Sequence, residues 1–260
     1  MVPNRWHTRE VLLKRLLWDF FRIQYQNRMR RPNPYRLFTE TGILLLHIPR
    51  TGGTSLFEAL YGINLQGQHR YHLTAREFDF LNPVLFRRLL KVAVVRDPVA
   101  RLESVYDFWC RNPAIVEHGL CMGAYGRQIF AKASALPDFA RRVAAAPADA
   151  FQGEKMLMPQ TAFLATPTGY LGANILIPYA NLSEGAAEVL ARARVRRGLF
   201  HRNLGAGTRG LRESDPDVAD EILSYYAADA ALWAACSPPI LPVDPGTPAD
   251  VRGTASRPAF

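Results

Sequence analysis

Two short, uninterrupted apolar runs constrain this chain most. They are residues 43–48, ILLLHI, and residues 91–95, KVAVV. Runs of this length, without polar alternation, suit strands buried on both faces, as in a parallel sheet. Ile175-Leu-Ile reads as a third strand. Helices are expected between and after them. One runs from the Gly-rich turn after the first strand to about Tyr61, with Thr54 or Ser55 as its cap. Others cover residues 83–90, 123–133, 137–146, 157–165 and 183–194. Asp97-Pro98 opens a helix with Pro at its first position, carrying Leu102, Val105, Tyr106 and Trp109 along one face. Ser214-Asp-Pro-Asp opens a last helix running to about Ala235. Strands alternating with helices argue for an α/β fold of three layers, a small central parallel sheet flanked by helices. Ligands of such folds bind at the carboxyl ends of the strands.

Charge divides the chain. The net formal charge is +9, and residues 1–40 alone hold nine basic and three acidic residues, whereas residues 41–260 are nearly balanced. A nucleic-acid binder would be expected to carry its charge across the folded domain, so no nucleic-acid partner is expected. Residues 6–30 read as a basic amphipathic helix, with Leu13, Leu16, Leu17, Phe20 and Ile23 on one face. Packing on the domain and contact with a membrane surface or partner both remain open for it. Residues 237–260 hold six prolines and two glycines and read as an extended or disordered tail. The expected division is therefore a basic arm (1–40), a domain (41–236) and a Pro-rich tail (237–260). No stretch reaches the ~20 apolar residues of a membrane span. The three cysteines, Cys110, Cys121 and Cys236, lack CxxC spacing and suit free thiols in a reducing compartment, with a Cys110–Cys121 bridge left open. A cytoplasmic protein, at most peripheral to a membrane, is the expectation.

Two segments carry chemistry. His47-Ile-Pro-Arg-Thr-Gly-Gly-Thr-Ser55 follows the first strand. Gly52 and Gly53 let backbone N–H groups approach an anion, the helix N-terminus adds its dipole, Thr54 and Ser55 add hydroxyls, and Arg50 adds a bidentate charge. It lacks the GxxxxGK[ST] frame of a Walker A loop. Val94-Val-Arg-Asp-Pro-Val-Ala-Arg-Leu-Glu-Ser104 follows the second strand. Arg96 and Ser104 there could reach one anionic group, or Arg96 could pair with Asp97 or another carboxylate for structure alone.

Together these segments closely resemble the two cofactor motifs of sulfotransferases that use 3′-phosphoadenosine-5′-phosphosulfate (PAPS). The match is best to the Golgi-type carbohydrate group, sulfotransferase family 2, which includes heparan sulfate 2-O-sulfotransferase and bacterial relatives. In that family H-x-P-K/R-T/C-G-G-T-S grips the 5′-phosphosulfate, and V-R-D-P-x-x-R-x-x-S grips the 3′-phosphate. Met158-Pro-Gln-Thr-Ala-Phe-Leu164 is similar to the family's N-P-Q-T-x-F-L helix, and the likeness spans roughly residues 41–235. The resemblance implies a P-loop-like fold and PAPS as cosubstrate without a metal. It places Arg50, Thr51, Gly52, Gly53, Thr54 and Ser55 at the phosphosulfate and Arg96 and Ser104 at the 3′-phosphate.

Arg202 and Arg209, in a late basic loop, are further candidates for phosphate contact. The implied acceptor is a hydroxyl of a carbohydrate or glycolipid, and a histidine is the usual base for such a group. His72 fits the family's placement best and His69 comes second. Arginine at position 50, where relatives often have lysine, keeps its protons, so electrostatic stabilisation is its expected role. Two other classes stay in view: a P-loop kinase or NTPase, and a non-enzymatic protein binding polyanions or membranes through its arm.

Overall fold

The computed structural model describes residues 34–63, 72–117, 123–151, 154–199, 210–236 and 241–242. It is an α/β fold built on a four-stranded sheet of order β1-β2-β3-β4: β1 (Ile43–Leu45), β2 (Leu90–Val95), β3 (Ile175–Pro178) and β4 (Leu241–Pro242). The first three strands are parallel. Leu45 faces Val92, and Val92 faces Ile175. Each residue of β1 and β3, and the last four of β2, is buried. Successive side chains point to opposite faces, so both faces are covered. The strands fall where the apolar runs place them. β4 pairs antiparallel to β3, Leu241 opposite Leu176, within the tail expected to be extended or disordered.

The edge at β1 is blunted by a side chain. Helix α1 (Pro34–Thr41) precedes β1, and α2 (Gly53–Tyr61) follows it. The Tyr61 hydroxyl donates to Ile43 O at 2.9 Å and accepts from Leu45 N–H at 3.2 Å. It thereby satisfies backbone groups that an edge strand would otherwise leave open. Burial raises the Tyr61 pKa, so it remains a neutral phenol. Phe38 of α1 is buried and meets Tyr61 and Phe78 edge-to-face at 5.3 and 5.7 Å. Burying such a ring contributes roughly 2–3 kcal/mol. The end of the segment assigned to the arm is thus part of the core; the expected helix at 6–30 lies outside the described residues.

Helices α3 (Ala75–Leu81) and α4 (Pro83–Arg88) lie between β1 and β2. Thr74 and Glu77 form a reciprocal capping box at the start of α3, a helix not expected from the sequence. After β2, Asp97 caps α5 (Pro98–Arg111) by accepting from Ala100 N–H at 2.9 Å. Then come α6 (Pro113–Glu117), α7 (Ala124–Lys132), α8 (Leu136–Ala144) and α9 (Gln160–Leu164). Tyr179–Asn181 forms a 3₁₀ turn before α10 (Leu182–Arg192). Residues 211–235 form α11 (Leu211–Ser214), α12 (Pro216–Tyr225) and α13 (Ala227–Ala235).

The single helix expected over 214–235 is therefore broken at Tyr226. Its hydroxyl donates to Leu157 O at 2.7 Å inside the protein, and this tertiary contact outweighs the helical pattern of the sequence. A second apolar cluster lies beside the sheet core. It joins Leu102, Val105 and Trp109 of α5 to Phe139 and Val143 of α8 and Val218 and Ile222 of α12. Among the described residues no helix is long and apolar enough to cross a membrane. Cys110 and Cys236 carry free thiols; Cys121 lies outside the described residues.

Candidate anion-binding site

β1 and β2 are parallel neighbours, so the turns leaving their carboxyl ends emerge side by side. The first turn, residues 49–52, is wound through two left-handed residues, Arg50 at φ 66° and Gly52 at φ 86°. Thr51 between them is fully buried, and its hydroxyl donates to Ile48 O at 2.9 Å. The hydroxyl is spent on shaping the turn, so Thr51 can offer an anion only its backbone. Gly52 is the N-cap of α2, with no side-chain cap bond, in place of the Thr54 or Ser55 cap expected. The helix begins earlier because a left-handed residue at 52 already turns the chain.

The two glycines are also required by packing. A Cβ on Gly52 would lie 2.8 Å from the Tyr179 ring and 2.9 Å from Leu182. A Cβ on Gly53 would lie 2.3 Å from Cδ2 of His47. Ser55 N–H donates to Gly52 O at 3.2 Å, and the start of α2 is an anion-favouring end, as at any helix start.

Arg50 and Arg96 come together here. Arg50 Nε and one terminal nitrogen donate to Ser104 Oγ at 3.1 and 3.0 Å, and its guanidinium lies 4.7 Å over the Phe108 ring. Arg96 donates to Arg50 O at 3.3 Å and stacks 4.5 Å over Tyr179. Its Nε is buried without a hydrogen-bond partner. Ser104 thus serves Arg50, although the sequence paired it with Arg96.

Among the described residues neither arginine forms an ion pair with a carboxylate. Asp97, the expected structural partner of Arg96, instead caps α5 and bridges Arg212 at 2.7 Å. Burial, then the charges of Arg96 and Arg111, push Arg50 down to about 10, against smaller upward pulls from Asp107 and Tyr179. Burial also lowers Arg96. Both cations are partly desolvated, the nearby charges of Asp107 on Arg50 and of Glu103 and Asp97 on Arg96 offset this only in part, and an arriving anion would relieve it.

Two histidines stand beside the turn. His47, at the end of β1, is buried, and its Nε2 lies 3.5 Å from Thr54 Oγ1. Burial, and then the His72 charge, hold its pKa well below the ordinary imidazole value. His72 stacks on it at 4.4 Å, with Nδ1 3.0 Å from His47 O. A carbonyl only accepts, so Nδ1 carries a proton, and in its neutral form the ring would have its lone pair at Nε2. Ser55 is buried in the first turn of α2. His69, Arg202 and Arg209 lie outside the described residues.

The sequence reading missed the residues that hold these groups. Arg101, the second arginine of the RDPxxR segment, is buried and donates to Pro49 O at 3.1 Å, Met158 O at 3.0 Å and Met156 O at 3.0 Å. It ties the first turn to the chain before α9. Gln160 and Asp229 support the second turn. The one available signal was the Pro-Gln-Thr likeness; nothing local marks Asp229, an aspartate in an Ala-rich helix. In comparisons with known proteins, no protein-family model, no curated protein and no solved structure matches this chain.

Proposed function

We propose that this chain is a PAPS-dependent sulfotransferase with a P-loop-like domain, transferring a sulfuryl group to a hydroxyl of a carbohydrate or glycolipid. One observation carries the reading. Two arginines that form no ion pair among the described residues, one with an orphaned buried Nε, converge at the ends of adjacent parallel strands, in segments that resemble the family's two cofactor motifs.

PAPS fits the chemistry of these donors, with phosphosulfate oxygens at Arg50 and the first turn of α2, and the 3′-phosphate at Arg96. The His72 Nε2 lone pair would take the acceptor proton as the acceptor oxygen attacks sulfur in line. The bond from sulfur to the bridging oxygen breaks, and its electrons leave on the 5′-phosphate of the product, 3′-phosphoadenosine-5′-phosphate (PAP). Arg50 would stabilise that developing charge as a fixed cation, in a transition state where positioning and charge do most of the work.

Calorimetry with PAP tests the reading. The wild-type protein should bind PAP, Arg96→Ala should weaken that binding at least tenfold, and His72→Ala should keep PAP affinity while losing turnover of labelled PAPS. No PAP binding, or binding indifferent to Arg96→Ala, refutes it. Tighter binding of ATP with Mg²⁺ than of PAP would favour a kinase or NTPase instead.

A further inference from the structure

The backbone of Arg96 needs a partner that the sheet does not provide. β2 and β3 pair up to Val95 opposite Pro178, and the chain beyond Pro178 turns into the 3₁₀ segment. Residue 96 therefore has no strand beside it on that flank. The Gln160 side chain takes the strand's place. Its Oε1 accepts from Arg96 N–H at 2.9 Å, and its Nε2 donates to Arg96 O at 2.7 Å. Both backbone groups of one residue are thus fixed by one amide, which orients the Cα–Cβ bond from which the guanidinium extends.

Gln160 is itself held. The buried Asp229 carboxylate accepts from Gln160 N–H at 2.7 Å, Thr161 N–H at 2.8 Å and Thr161 Oγ1 at 2.9 Å. Gln160 is fully buried and Asp229 is 1% exposed, so solvent offers neither an alternative partner. Three bonds onto one carboxylate and two from one amide form a chain from α13 through α9 to the end of β2. A buried polar chain of this kind is rigid when every member is satisfied.

We infer that Gln160 and Asp229 are positioning residues for the anion site: Asp229 fixes Gln160, Gln160 fixes the Arg96 backbone, and Arg96 is thereby aimed at the 3′-phosphate. The inference rests on the sulfotransferase reading and assigns its nucleotide discrimination to two buried residues that act through the Arg96 backbone. Among the described residues the Arg96 side chain makes one hydrogen bond, to Arg50 O. Its aim therefore depends on its backbone and on the Tyr179 stack.

The test compares PAP with 5′-AMP, which lacks the 3′-phosphate, by calorimetry on the full chain. Gln160→Met keeps the side-chain length and removes both bonds to Arg96. It should weaken PAP about tenfold to a hundredfold, the loss expected for two bonds of ordinary net strength, and leave 5′-AMP within about twofold. Gln160→Glu keeps an acceptor for Arg96 N–H and loses the donor to Arg96 O. With a carboxylate oxygen turned toward Arg96 O it should weaken PAP at least as much, again sparing 5′-AMP, and it carries the test where the Met variant fails to fold. Asp229→Asn, with one acceptor oxygen left, should lower PAP selectivity in the same direction.

Unchanged preference for PAP in Gln160→Met and Gln160→Glu overturns the inference. So does equal weakening of both nucleotides, which marks a role in stability alone. Wild-type protein that binds PAP no better than 5′-AMP would instead overturn the proposed function, and the inference with it.

Discussion

Replacing Gly53 by Ala isolates the contact between the glycine turn and His47. The added Cβ would stand 2.3 Å from His47 Cδ2. Ordinary carbon contacts lie at about 3.5–4.0 Å, so the ring would have to retreat by more than ~1 Å. It has little room, being 3% exposed, stacked at 4.4 Å on His72 and 6.3 Å from the Phe57 ring. Overpacking of this kind costs about 1–3 kcal/mol. At a urea slope near ~3 kcal/mol/M, the unfolding midpoint should drop by about 0.3–1 M.

The control is the same change in a His47→Ala background, where the ring is gone. There Gly53→Ala should be neutral or stabilising, because Ala gains about 0.5–1 kcal/mol over Gly within a helix. The cycle should therefore show a coupling above ~1 kcal/mol. An equal cost in both backgrounds would refute the packing account and return Gly53 to a purely backbone role.

Two further outcomes follow from the buried charges. Arg101→Met strands carbonyls of Pro49, Met156 and Met158 and should cost about 2–4 kcal/mol of unfolding free energy, whereas Arg96→Ala, which removes a half-buried cation with no carboxylate partner among the described residues, should cost under ~1 kcal/mol; urea unfolding of both variants checks the contrast, and equal losses would contradict it. His47 has a depressed folded pKa, so below the ordinary imidazole value of about 6.5 the unfolded chain takes up its proton first. Stability is full above that pH and falls below it by at most about 1.4 kcal/mol per unit, and a stability profile of His47→Ala parallel to that of the wild type would contradict the assignment.

The strands were legible because each is a short apolar run closed by a turn, and a parallel sheet buried on both faces demands that pattern. The places of Arg50 and Arg96 followed from the strands. What escaped the sequence is mostly nonlocal. Arg50 meets Ser104 across 54 residues, and Gln160 meets Asp229 across 69. Neither separation leaves a local trace. The helix α3 did leave one, the Thr74–Glu77 capping box, but its seven residues are too few for apolar periodicity to stand out. The break at Tyr226 and the pairing of β4 are set by tertiary contacts that no window of the sequence contains. Phe38 shows the same limit at the other end: composition assigned it to a charged arm, and packing assigns it to the core.

The Asp229 contact also has a consequence in time. Arg96 precedes Gln160 by 64 residues, and Asp229 follows Gln160 by 69 more. A nascent chain leaving the ribosome exposes both arginines well before the carboxylate that steadies the second one. The interval ends when α13 docks, so a helix made long after both arginines acts as the key that completes the lock, and a chain released before it would carry the charges of the site without its geometry.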